Sequence, residues 1–236
     1  MKESGAKQLV FLTDFYGAAK GNAAKEEEQG KLIVDAAKAL GIEFTVFISV
    51  ADIEACAKHR PKAMHMQPKG TIEAYLKASG LNYAVLRPVA FFENFDDPGN
   101  WNPLTQGKVK FLSAAPTLFV TTFDVGKAVA AFLSDKATWS GKTLSCASWK
   151  GTVTEVAAAL EAVSGVKTTG GIAMPTFFRW LFLYDLDQMC RYFEAGYPDT
   201  TVDIDAFKAV VPDALDPQGW FRHHAFYTNG KPIVKA

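Results

Sequence analysis

The segment ALGIEFTVFIS (39–49) has a twin in ASGLNYAVLRP (78–88). Each opens with the end of a helix and runs straight into a strand. Gly41 and Gly80 take the position just past the helix, where the backbone turns left-handed and a Cβ is unfavourable. IEFTVFIS (42–49) shows almost no polar alternation. Strands buried on both faces read this way, and parallel sheets bury both faces.

Outward from these joints the pattern continues. QLVFLT (8–13) is a short apolar run with β-branched and aromatic content, a buried strand ended by Asp14-Phe15-Tyr16-Gly17. Asn22 is placed to cap a helix whose start carries Glu26, Glu27 and Glu28, where the helix dipole favours anions. That triplet reads as a solvated helix start, and Leu32, Ile33, Ala36, Ala37 and Leu40 make the apolar face. Pro68 opens the next helix, with Ile72, Tyr75 and Leu76 facing inward. Strand, helix, strand, helix, strand with short joints is a run of βαβ units, and right-handed crossovers place the strands in one parallel sheet. The expected class is α/β, a doubly wound parallel sheet. In such sheets ligands bind beyond the carboxyl ends of the strands. Here those ends hold Thr13 and Asp14, Ser49 and Val50, and Arg87-Pro88-Val89.

The later chain adds strands at VKFLSA (109–114) and KTLSCAS (142–148) and a helix over 124–135 capped by Asp124. Thr152 with Glu155 forms a capping box for the following helix. After Pro175 a helix crowds Phe177, Phe178, Trp180, Leu181 and Phe182 together, read as the core of a C-terminal lobe, with a partner surface as the second reading. A further helix covers 217–226. The expected division is a core over 1–150 and a small α/β, mostly helical, substrate or partner lobe over 151–236.

Lys plus Arg and Asp plus Glu number 25 each in 236 residues. The zero net charge argues against direct nucleic-acid binding, which needs a cationic face. Cys56, Cys146 and Cys190 lie far apart with no CxxC, as free thiols in a reducing compartment do. The N-terminus is no signal peptide and no run reaches the length that spans a bilayer. A chain of the cytoplasm or nucleus, without membrane contact, is expected. His223-His224 carries little metal signal, since adjacent helical side chains diverge; no metal site is expected.

Several strings together resemble the NmrA-like family, a branch of the atypical short-chain dehydrogenases. They are VFLTDF (10–15), EEEQGKLIVDAAKALGIEFTVFIS (26–49), the His65-Met-Gln-Pro-Lys69 helix start, IEAYLKASGLNYAVLRP (72–88), FFENF (91–95) and FDVGKAVAAFL (123–133). The resemblance implies a Rossmann-like NAD(P)-binding domain with a small variable lobe. Some members are NAD(P)H-dependent reductases, and others are redox-sensing regulators that bind dinucleotide and a protein partner. The family opens with a glycine-rich turn and two further strands before the VFLTDF strand. No G-x-G-x-x-G turn or Walker loop occurs in this sequence, so the sheet is expected to be N-terminally incomplete by about 30 residues or more, the size of a βαβ unit. NADP or NAD binding is then expected to be weakened or lost at the pyrophosphate, with the nicotinamide end retained.

For that end the resemblance singles out His65, Lys69 and Ser49. Lys69 would bond the nicotinamide ribose or aid proton transfer, His65 would be a general acid near neutral pH, and Ser49 would orient a carbonyl. The plain alternatives are a strand-end cap for Ser49, a loop residue for His65 and a solvated first-turn lysine for Lys69. Pro88 and Val89 would line the nicotinamide pocket, and Asn94 would turn a loop above it. Phe91, Phe92 and Phe95 read as packing. Tyr16-Gly-Ala-Ala-Lys20 matches the Y-x-x-x-K spacing of ordinary short-chain dehydrogenases but follows the wrong strand, and reads as a decoy. The leading expectation is a dinucleotide-family protein with a regulatory, redox-sensing or non-catalytic role, acting through a protein partner or a second copy. The alternative is an NAD(P)H-dependent oxidoreductase of a small carbonyl or enone.

Overall fold

The computed structural model describes residues 5–50, 63–96, 107–196 and 202–223, with the backbone of 227–228 and 231–232. The elements in order are β1 Gln8–Leu12, α1 Ala23–Ala39, β2 Phe44–Ile48, α2 Gln67–Ala78, β3 Tyr83–Pro88, β4 Ala90–Phe91, a 3-10 turn Phe92–Phe95, β5 Lys108–Phe111 and β6 Thr117–Val120. There follow α3 Thr122–Ser134, α4 Lys136–Trp139, β7 Thr143–Cys146, β8 Trp149–Gly151, α5 Val153–Ser164, β9 Thr169–Ile172, α6 Thr176–Phe182, α7 Tyr184–Glu194, α8 Ile204–Val210, α9 Pro217–His223 and the pair β10 Tyr227–Thr228 and β11 Lys231–Pro232. Cys56 and His224 lie outside the described residues. No helix among the described residues is long and apolar enough to cross a membrane.

The chain divides into two compact units, 1–88 with 125–146, and 89–124 with 147–236. The first unit holds a four-stranded sheet in the order β1-β2-β3-β7, every pair parallel. This is the α/β parallel architecture expected from the twin joints, and both glycines adopt positive φ, 64° at Gly41 and 80° at Gly80. Phe11, Phe47 and Val85 align in register and pack under Val34 of α1 and Ile72 and Leu76 of α2. Val46, Ala84 and Leu86, on the opposite face by alternation, are also fully buried.

Helix α1 buries a stripe that overlaps the expected face in part, at Ala37 with Ile33 packed beside the core. Asn22 caps it as anticipated, accepting from the Lys25 N–H at 3.1 Å. The buried positions are Glu26, Gly30, Val34 and Ala37, spaced four, four and three, while Leu32 is 59% exposed. The acidic start is therefore not uniformly solvated. In α2, Ile72 and Leu76 point inward as expected, but Tyr75 faces out and its hydroxyl donates to Asp35 Oδ1 at 2.8 Å.

The second unit holds β4-β6-β8 and the parallel pair β5-β9. Its core joins Phe92, Phe95, Val109, Phe111, Phe119 and Trp220. The capping box at Thr152 and Glu155 is present as read. Asp124 does not cap α3: its N–H donates to Thr121 Oγ1 at 2.8 Å, and its own carboxylate accepts the Leu215 N–H. The aromatic run of α6 is not this lobe's core. Phe177, Phe178, Trp180, Leu181 and Phe182 are exposed, and the buried residue of that helix is Arg179. Its guanidinium donates to Asp187, Glu194 and the Leu112 carbonyl, which turns the charged side inward and the rings outward.

Candidate functional site

Thr13, Ser49 and Arg87 sit two residues beyond Phe11, Phe47 and Val85, so alternation puts all three on the face covered by α1 and α2. Each helix meets this polar row with an acid. The Thr13 hydroxyl donates to Glu26 Oε1 of α1 at 2.6 Å. Arg87 donates from Nε and Nη2 to the two oxygens of Glu73 of α2, at 2.8 and 2.6 Å. Ser49 lies between them, buried, its hydroxyl without a partner among the described residues.

Lys69 enters the row from the first turn of α2, where its charge opposes the helix dipole. A carboxylate compensates it. Nζ lies 2.5 Å from Glu26 Oε1, 2.9 Å from the Thr13 carbonyl and 3.4 Å from Thr13 Oγ1. An ammonium has three N–H donors, and three acceptors surround this one. Glu26 is fully buried and Lys69 is 15% exposed. The Glu26 Oε2 oxygen is buried without a partner among the described residues. Glu26 stands in the first turn of α1, where the dipole supports its charge.

The turn after β1 is held by Asp14, whose carboxylate accepts from the Gly17 N–H at 2.9 Å and the Ala18 N–H at 3.2 Å. The Gly17 N–H above all holds this carboxyl below the ordinary carboxylate range. That turn presents Tyr16, exposed, with its hydroxyl 3.4 Å from His65 Nδ1 and its ring 5.7 Å from the imidazole. Phe15 beside it is buried. Residues 15–21 form turns rather than a helix, so the Tyr16 and Lys20 spacing puts no two side chains on one face. Tyr16 nonetheless belongs to the site by way of His65, a partnership 49 residues apart.

Among the residues singled out from sequence, the structure gathers Thr13 and Lys69 around Glu26 and places His65 against Tyr16. Asp14 is committed to its own turn. Ser49 and Val50 follow directly on β2, and Pro88 ends β3. Val89 and Asn94 belong to the second unit, Asn94 within the 3-10 turn. Phe92 and Phe95 pack in the core as expected. Arg87 is engaged by Glu73. Glu26 is the residue missed. Its signal was the helical spacing to Gly30, Val34 and Ala37, which marks it as inward-facing. The His223 ring lies 4.9 Å from that of Phe123. Among the described residues no cluster of three His, Cys, Asp or Glu could hold a metal ion.

A family model described as the NmrA-like family matches residues 4–226. The fold is similar to triphenylmethane reductase of Citrobacter sp., crystallised with NADP(H), at TM-score 0.71 and 14% identity over 94% of this chain and 79% of that one. It is similar to NmrA, a negative transcriptional regulator crystallised with NAD, at TM-score 0.70 and 15% identity over 93% and 74%. It is also similar to the NADPH-dependent quinone oxidoreductase of Escherichia coli in complex with NADPH, at TM-score 0.68 and 20% identity over 94% and 78%. At these identities the likeness is one of fold.

Proposed function

The chain belongs to the NmrA-like family, and from that premise we propose that it binds a nicotinamide dinucleotide and acts as a regulator rather than a reductase. The regulator and both reductases named above were crystallised with such a nucleotide. The polar row at the carboxyl ends of β1, β2 and β3 supports the nicotinamide end of the site. The Ser49 hydroxyl, buried and without a partner among the described residues, suits a carboxamide or carbonyl oxygen. Val50 and Pro88, one residue past Ser49 and Arg87, alternate to the other face of the strand ends and are proposed as apolar wall there, and Thr13 holds Lys69 in place. Asp14 serves by shaping the turn. Val89 and Asn94 lie in the other unit and are not assigned to this wall.

The observation that carries the reading is Lys69. When bound, a reduced nicotinamide supplies a hydride, and turnover also needs a group that delivers a proton or fixes the ribose. Lys69 has its donors directed at Glu26 and Thr13 instead. Binding without turnover fits that arrangement, and the proposal adds to it a redox-sensing role exerted through a protein partner. The test is a titration with NADPH, NADH and their oxidised forms, read by nucleotide fluorescence and thermal stability. Saturable binding with no consumption of NADPH supports the regulator; no binding of any form overturns it.

A second reading, an NAD(P)H-dependent oxidoreductase of a small carbonyl or enone, is favoured by the Tyr16–His65 pair. A phenol beside an imidazole is an acid–base couple open to solvent. In that case His65 is the general acid, and a quinone or enone is reduced at a rate that falls in His65→Phe and is lost in Lys69→Ala.

A further inference from the structure

We infer that Glu26 is an internal occupant of the Lys69 site, a carboxylate that fills the place of a ligand's hydroxyl or anionic oxygen and so restricts what the site can hold. For its ligand the inference rests on the dinucleotide reading above; for the state of Lys69 it rests on geometry alone. Three facts converge. Glu26 is fully buried, and its Oε1 takes both the Thr13 hydroxyl and the Lys69 ammonium. Its Oε2 is buried with no partner among the described residues, which hold the carboxylate through Oε1. Lys69 keeps 15% of its side chain exposed, so the cation can be reached from solvent while its donors are engaged.

The chemistry follows from the inventory of donors. A ribose diol or a phosphate oxygen approaching Lys69 competes with Glu26 Oε1 for N–H groups, and an anionic oxygen also meets the repulsion of the buried carboxylate. Neutral hydroxyls therefore exchange into the site more readily than phosphates. Glu26 touches no ligand in this account. It is a positioning residue that sets whether Lys69 is available.

Glu26→Gln keeps the shape and one acceptor and removes the charge. Two readouts separate the inference from the reading beneath it. The first is mild acylation of the native protein with acetic anhydride, read peptide by peptide. Labelling of Lys69 relative to Lys38 and Lys77 should rise in Glu26→Gln, whereas simple loosening of the fold would raise all three together. The second is NADPH affinity, which should tighten about tenfold, the effect of returning one hydrogen bond from a charged donor, and the gain should vanish in Glu26→Gln/Lys69→Met. Should Glu26→Gln fail to fold, Glu26→Asp lengthens the contact and gives the same changes in smaller measure. Unchanged Lys69 labelling, or equal NADPH affinity in variant and parent, overturns the inference. Raised Lys69 labelling with no nucleotide bound by either protein upholds Glu26 as occupant and overturns the dinucleotide reading instead.

Discussion

Lys69 Nζ lies 2.5 Å from Glu26 Oε1, a contact between the first turns of two helices 43 residues apart in the chain. One of those turns favours its charge and the other opposes it. The pair joins α1 to α2 at the carboxyl end of the sheet, above the apolar cluster of Val34, Ile72 and Leu76.

Removing one member should therefore cost more than removing both. Lys69→Met leaves a buried, uncompensated carboxylate and should lower unfolding free energy by about 3–5 kcal/mol, while a matched apolar pair at both positions should recover most of it. Urea unfolding of Lys69→Met and of Glu26→Met/Lys69→Met measures the difference. Equal losses in the two proteins would contradict the expected cost of the orphaned carboxylate.

Gly30 lies one helical turn below Glu26, and a Cβ there would run into the side chain of Ile72. Gly30→Ala gains helix propensity of about 1 kcal/mol but overpacks the α1–α2 contact by about 1–3 kcal/mol, for a net loss near 1 kcal/mol. Trimming Ile72 to Val in the same protein should restore part of the loss, as thermal unfolding can read.

Much of this lay open in the sequence. The twin joints at Gly41 and Gly80 declare the parallel sheet because turn chemistry and unbroken apolar strands are local features. Thr13 and Ser49 could be placed at the carboxyl end of the sheet from topology, and His65 and Lys69 from the family resemblance. Glu26 was hidden inside an acidic triplet, since local charge says solvent and only the spacing to Val34 and Ala37 says core. Tyr16 reads as a decoy in the sequence because its partner, His65, comes from the turn before a distant helix. The rings of α6 misled in the other direction. Apolar content does not reveal which side of a helix is anchored, and there the anchor is the charged Arg179.

Acid should weaken the fold through Glu73 and Asp187. Burial alone would raise both carboxyls, but at Glu73 the bonds from Arg87 and Lys77 outweigh it, and at Asp187 those from Arg191 and Arg179 do, so both fall below their ordinary values of 4.5 and 3.8. Groups shifted down in the folded state stabilise it above the unfolded value and lose that contribution as pH falls through the folded one. Stability should hold from neutrality to about pH 5 and decline below 4.5, and Glu73→Gln should show a shallower decline from a lower starting point. Urea midpoints across this range test it.

Cys146 and Cys190, the buried thiols among the described residues, should be inert in the native protein. Burial raises Cys190 to about 12 and Cys146 further still, against an ordinary value of 9.0. Thiolate, not thiol, is the nucleophile. Iodoacetamide at neutral pH should leave both unlabelled until denaturant is added, by peptide mass.

The most direct test of the central claim, that Glu26 holds Lys69 away from catalysis while the site still binds, is one titration with two readouts. NADPH is added to the intact chain while nucleotide fluorescence reports binding, and absorbance reports its oxidation in the presence of a quinone. The account predicts saturable fluorescence change with no oxidation above the buffer rate. Steady oxidation that disappears in Lys69→Ala would contradict it, because Lys69 would then be working in the reaction that Glu26 is argued to deny it.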